Sequence, residues 1–302
     1  MQIDKQNGNV AFCDSSHKYW DVTDPNKKYV SVTTLIHSYA QDFDASFWSA
    51  YKALEQLVPK ESWTIEKKSL LNTHRIDLKI LDIYNIKESD FNKAQQDILD
   101  EWERKKNESC ERGTNIHAQL ENSFYGDKTR QNTLKKLGIG GKFECKKNYN
   151  ELILDKAIYP EYLISRDSND GYLHLAGQID VLVKDGNSIT IIDWKTNEKI
   201  DLKGGFNTQS KSSAKMKYPL NTLDDCNYNH YQLQLSTYAW MLQKINPNFE
   251  IKDLILYHFD HKGNETLYHC KYLKKEVERM LIDYKKKLIH EDQINKRKRI
   301  DY

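Results

Sequence analysis

The sequence has no apolar run near the roughly 18–20 residues needed to cross a bilayer, so no membrane partner is expected. Its first ten residues, MQIDKQNGNV, contain no apolar signal core, and Asp4 counts against an organelle presequence. A cytoplasmic protein is the expectation. Cysteine is sparse: Cys13, Cys110, Cys145, Cys226 and Cys270 are odd in number, widely scattered and without a CxxC spacing. That pattern gives no grounds for a zinc site or an iron–sulfur cluster, and it fits reduced, mostly buried thiols. Charge of one sign is also lacking. The net charge is +2, too little to indicate a nucleic-acid partner without regard to where the charges lie. No internal repeat is visible.

What is present is a chain of 302 residues, 38% hydrophobic and 30% charged, which can bury a sizeable core in one elaborated domain or two small ones. Residues 9–32 alternate as short strands, with DPNKK as a turn. From Thr33 to Leu81 the spacing becomes helical, with Phe43, Phe47, Tyr51 and Leu54 recurring at helical intervals. A longer helical stretch runs from Glu88 to Phe124, with a break allowed between Asn107 and Gly113. The LGIGG cluster ends it, and a further helix is expected over Lys142–Leu154. The character then turns to strand in AIYPEYLIS, YLHLAGQIDVLVK and SITIIDWKT. A lysine- and serine-rich loop over 199–227, a helix near 228–244, two more strands and a charged helix complete the chain. The expected fold is α/β, its sheet beginning near residue 157 and a helical N-terminal portion preceding it.

The stretch from Gly177 to Asn197, GQIDVLVKDGNSITIIDWKTN, carries the chemistry. Two strands joined at DGNS form a hairpin, and counting back from the turn sets Asp180 opposite Asp193. Alternation puts Asp193 and Lys195 on one face and Trp194 on the other. Two carboxylates and an ammonium on a largely apolar hairpin would cost several kcal/mol each in lost hydration. A hard divalent cation offsets that cost, and oxygen ligands suit magnesium or manganese. The lysine can hold a water or a phosphate oxygen. D-x-K alone is also a common salt-bridged pair, so the remaining residues decide.

In RGTNIHAQLE, Gly113, His117 and Glu121 recur every four residues on one helical face. An imidazole is a good metal ligand, and a neighbouring acid can orient it. Glu161 is a lone acid within an apolar strand. Gln234 and Tyr238 are four apart on an otherwise apolar helix, where a buried glutamine requires a partner.

In this order these residues resemble the PD-(D/E)xK nuclease superfamily, and within it the RecB-like branch, whose signature is G-x-x-x-H-x-x-x-E, a strand glutamate, G-x-x-D, D-x-K and Q-x-x-x-Y. The match is carried by Gly113–His117–Glu121, Glu161, Gly177–Asp180, Asp193–Lys195 and Gln234–Tyr238. HKYWDV, YVSVTTLI and the helix with Phe43 and Trp48 look like phage exonucleases and the mitochondrial genome-maintenance exonuclease. The resemblance implies a restriction-endonuclease-like core, a central mixed sheet flanked by helices, over 111–302. Strands and a helical, DNA-contacting region would occupy 1–110 and form one compact unit with that core.

It further implies metal-assisted hydrolysis with one or two Mg²⁺ ions, Mn²⁺ substituting, and no iron–sulfur cluster. His117, Asp180, Asp193 and the backbone carbonyl of Trp194 would ligate the first ion, and Glu161 would bind through water or help hold a second. Glu121 would support His117. Lys195 would orient the attacking water, with Gln234 and Tyr238 positioning Lys195 or the phosphate. DNA, single-stranded or with free ends, is the implied partner. Ser31, Thr33 and Thr34 would contact phosphates if they are not simply a helix cap. Lys199, Lys203, Lys211, Lys215 and Lys217 line the loop after the catalytic strand, as phosphate contacts or a solvated run. The leading expectation is a DNA exonuclease of replication, repair or recombination, with an unidentified protein of those processes as a further partner. It would be bacterial, or a phage protein in the host cytoplasm. A flap- or junction-cutting endonuclease and a catalytically silent DNA-binding protein are the alternatives.

Overall fold

A computed structural model describes residues 3–146, 155–207 and 212–300. The elements in chain order are β1 (Lys5–Asn7), β2 (Val10–Cys13), β3 (Lys18–Asp21), β4 (Val30–Ser31), α1 (Val32–His37), α2 (Ala45–Leu57), α3 (Lys60–Thr73), α4 (Lys79–Ile83), α5 (Glu88–Tyr125) and α6 (Asp127–Lys136). There follow β5 (Glu144–Cys145), β6 (Ala157–Asp167), β7 (His174–Asp185), β8 (Ser188–Lys195), β9 (Phe206–Asn207), β10 (Ser212–Ser213), α7 (Asn227–Ile245), β11 (Glu250–Phe259), β12 (Glu265–His269) and α8 (Lys274–Ile300). No described helix is long and apolar enough to cross a membrane.

Two compact units divide the chain. The first contains residues 1–40, 115–204 and 215–302 and is built on a seven-stranded mixed sheet ordered β12-β11-β8-β7-β6-β5, with β4 paired to β7. The pairs β11–β8, β6–β5 and β4–β7 are parallel, and the others are antiparallel. The strands are hydrophobic on both sides, as a sheet covered on two faces requires. Ile191, Leu254 and Leu256 point into a core shared with α1, α7 and α8. Their neighbours Ile192, Ile255 and Tyr257 join Phe124, Leu134 and Trp194 in the core under α6 and the end of α5. The second unit, residues 41–114 and 205–214, gathers Phe47, Tyr51, Leu54, Leu70 and Phe91 around its own core. In α2 the Asp44 side chain caps the helix by accepting from the Phe47 amide at 2.9 Å.

The α/β class with a mixed sheet and helices is as expected, but several details differ. Residues 1–40 belong with the sheet, because β4 pairs with β7 and β1 lies along β6. The sheet does not begin at residue 157, since β4 and β5 join it from earlier in the chain. In place of the expected helix over 142–154, Glu144–Cys145 is a strand paired with Ala157–Ile158, and residues 147–154 lie outside the described residues. The long helix α5 runs unbroken through Gly113.

Around β3, Asp21 is buried and accepts from the Thr23 amide at 2.9 Å, the Thr23 hydroxyl at 2.6 Å, Lys27 Nζ at 3.0 Å and the Tyr29 hydroxyl at 3.2 Å. Burial alone would raise its pKa, but the Thr23 hydrogen bonds and the Lys27 ammonium hold the carboxyl well below the usual range. A carboxylate depressed in the folded state stabilises fully above its unfolded pKa near 4, and that contribution is lost as pH falls below it. Asp21→Asn is therefore expected to cost about 1–3 kcal/mol at pH 7. In denaturant melts the variant should lose less stability than wild type between about pH 5 and pH 2; parallel losses would exclude this role.

Candidate active site

The β7–β8 ladder ends at Val181–Ile192. One residue further in the same register, Asp180 stands opposite Asp193, as the hairpin count predicts. There the strands part: β7 takes β4 as its neighbour at Leu175 and Ala176, while β8 stays with β11 as far as Lys195–His258. Inside this fork Asp180 Oδ2 accepts from the backbone N–H of Trp194 at 2.7 Å, and the Trp194 indole is wholly buried in the core under α6.

β6 bends at the same level. Glu161 has φ +53°, a left-handed conformation that a residue with a side chain rarely adopts. Side-chain alternation shifts there on both strands: Tyr159 and Tyr162 of β6, and Leu182 and Ile179 of β7, all face the same core. Strained backbone of this kind concentrates at functional sites, where the surrounding structure holds it. The β6–β7 register sets Glu161 opposite Asp180. From α5, His117 places Nδ1 3.7 Å from Asp180 Oδ1. Ligand atoms of His117, Glu161 and Asp180 lie within 4.8 Å of one another, and no other trio of His, Cys, Asp or Glu among the described residues does so.

Asp193 stands beside this trio rather than in it. It is 1% exposed, with Lys195 Nζ 2.5 Å from Oδ2 and Gln234 Nε2 donating to Oδ1 at 3.1 Å. Gln234 Nε2 also reaches the Tyr238 hydroxyl at 3.3 Å, so the glutamine on the apolar helix has its partners. Lys195 Nζ lies 4.7 Å from the centre of the Tyr231 ring, whose hydroxyl donates to Asn197 Oδ1 at 2.7 Å. Gly177 is required by packing: a Cβ there would sit 2.5 Å from Tyr238 Cε1. Tyr125 donates its hydroxyl to Glu121, which leaves that acid one turn of α5 beyond His117.

Electrostatics mark the same place. Burial pushes the Glu161 carboxyl up and the charge of Asp180 pushes it further, with Lys5 opposing both. Burial also pushes Asp193 up against the pull of Lys195. For Lys195, burial would favour the neutral amine, but Asp193 and Asp180 override it and hold the ammonium above the ordinary lysine range. Two carboxylates that repel each other beside an imidazole nitrogen form a donor set suited to a hard divalent cation, which would relieve that repulsion.

Three neighbours lie outside the five signature elements. Lys5 Nζ is 3.1 Å from Glu161 Oε2. Tyr19, half-buried on β3, has its phenol pKa raised by burial and then by Glu161 and Asp180. Tyr231 sits three residues before Gln234, a helical spacing that could have revealed it; no local pattern could have revealed the other two. Among the expected DNA contacts, Ser31 caps α1, its hydroxyl accepting from the Thr34 amide, while Thr33 and Thr34 are exposed. Lys199 pairs with Asp201 and Lys215 with Asp224; Lys203 is exposed, Lys217 is half-buried, and Lys211 lies outside the described residues. A hollow of about 240 Å³ lined by Lys136, Thr190, Lys252 and His269 contains none of the site residues.

No family model matches the chain, and no curated protein matches it in sequence. Two solved structures share part of its shape. A protein named SSO0001 is 16% identical at a TM-score of 0.24, over 41% of this chain and half of its own length. A protein from Eubacterium rectale, provisionally named an exonuclease, is 12% identical at a TM-score of 0.34, over 87% of this chain and 81% of its own. At these TM-scores neither likeness bears on fold or chemistry, which rest on the geometry of the chain itself.

Proposed function

We propose that the chain is a Mg²⁺-dependent deoxyribonuclease on a PD-(D/E)xK core, an exonuclease that hydrolyses phosphodiester bonds at DNA ends in replication, repair or recombination. The observation that carries this reading is the convergence of His117, Glu161 and Asp180 beside buried Asp193 and its partner, the half-buried Lys195. His117, Glu161 and Asp180 would hold the ion, which when bound polarises the scissile phosphate and acidifies a water. The chain supplies the rest. Asp193 keeps Lys195 protonated and in place, and the ammonium stabilises charge developing on the phosphate or orients the attacking water. Gln234, fixed by Tyr238, clamps the far oxygen of Asp193 so that the pair keeps one geometry.

The test is a time course with 5′- and 3′-labelled single- and double-stranded oligonucleotides and a closed single-stranded circle. Linear substrates should shorten in Mg²⁺ or Mn²⁺ and stay intact in EDTA, and the circle should be spared. A cut circle would make the protein an endonuclease. Intact DNA under every condition would contradict the proposal.

A further inference from the structure

Lys5 belongs to none of the motifs that define the site, yet it reaches the site's most distorted residue. Two residues along β1, Asn7 Nδ2 donates to the carbonyl of Leu163 at 2.7 Å, which ties β1 beside the bend of β6. The same offset places Lys5 against Glu161, with Nζ 3.1 Å from Oε2, and Asp14 Oδ1 is 3.5 Å away on the other side. The side chains of Lys5 and Glu161 are 27% and 11% exposed, so their attraction is less screened than that of a surface pair. The other charged or titratable groups that face the two are Glu121, Asp180 and His117, together with the phenols of Tyr19 and Tyr125. Lys5 is thus a positive charge set into a cluster of acids.

We propose that Lys5 is a tethered counter-ion of the candidate site: it neutralises Glu161 when no divalent cation is bound, and turns to the substrate phosphate when the cation takes that carboxylate. The inference rests on the metal-binding reading of His117, Glu161 and Asp180. A dication and an ammonium on one carboxylate repel each other, so each weakens the hold of the other, and the effect is reciprocal. A lysine carries its charge on a flexible four-carbon stem and can move while β1 stays fastened. Once released it lies near the acids that bind the ion, where a phosphate oxygen competes with Asp14 for the ammonium.

The test is calorimetric titration of Mn²⁺ into wild type, Lys5→Gln, Lys5→Arg and Glu161→Gln without DNA, with thermal melts to establish folding. Lys5→Gln should bind Mn²⁺ at least about tenfold more tightly than wild type, with Lys5→Arg close to wild type and Glu161→Gln weaker. At saturating Mn²⁺, Lys5→Gln should raise KM for labelled linear DNA at least about threefold. If the Gln variant melts early, Lys5→Met, which keeps the apolar stem, takes its place. Equal Mn²⁺ affinity in wild type and the neutral variant overturns the counter-ion role. Tighter Mn²⁺ binding with unchanged KM overturns the transfer to substrate. Absence of Mn²⁺ binding by all the proteins overturns the metal-site reading itself, a result distinct from either.

Discussion

Lys195→Ala is expected to lower Mg²⁺-dependent cleavage of linear DNA by about 10²–10³-fold while leaving DNA affinity nearly unchanged. The ammonium is one charge among the many contacts a DNA ligand makes, so its loss should register in the chemical step rather than in binding. A complication is built into the site. Asp193 is 1% exposed, and Lys195 is its cation. Removing one member of a buried pair typically costs 3–5 kcal/mol, because the other is left charged and unpaired. Burial already pushes the Asp193 pKa upward, so in the variant the carboxyl can take a proton and limit that cost. The double variant Asp193→Asn/Lys195→Ala should therefore recover part of the lost Tm and none of the lost activity. Recovery of both together would assign Lys195 a structural role only.

Gly177→Ala is the second change with a large expected effect, about 1–3 kcal/mol of stability together with loss of activity. Gly177 lies on β7 three residues before Asp180, directly beneath the ring of Tyr238. A methyl group 2.5 Å from Cε1 is inside van der Waals contact, so something must move. Tyr238 is 3% exposed within the large core, and its ring has little room to retreat. Any retreat pulls the hydroxyl from Gln234 and loosens the clamp on Asp193. The two sites are in contact, so their effects should not add. In the Tyr238→Leu background, Gly177→Ala should cost much less than in wild type, as chemical denaturation of the four proteins would measure. An undiminished cost would mean that the ring is not what the glycine accommodates.

The hairpin was legible in the sequence because both of its cues are local. A DGNS turn fixes the register, and alternation assigns Asp193 and Lys195 to one face and Trp194 to the other. The helical residues were legible for the same reason: His117, and Gln234 with Tyr238, are set by the period of a single element. Whatever depends on chain-distant contact was not legible. Nothing in IYPEYLIS shows that Glu161 takes a left-handed conformation. Lys5 lies 156 residues from the acid it pairs with, and no spacing encodes that. The two-residue strands β4 and β5 are too short to show a period, so periodicity alone starts the sheet near residue 157. Nor does any spacing show that Glu161 stands with His117 and Asp180, while Asp193 pairs with Lys195 and accepts from Gln234.

The proposed activity requires a divalent cation held by side chains from α5, β6 and β7. Crystals soaked in Mn²⁺ and measured at a wavelength where manganese scatters anomalously give the most direct test. The expected result is a single strong peak in contact with His117, Glu161 and Asp180 that disappears in Asp180→Ala crystals treated in the same way. A peak bound elsewhere, or no peak at millimolar Mn²⁺, would contradict it.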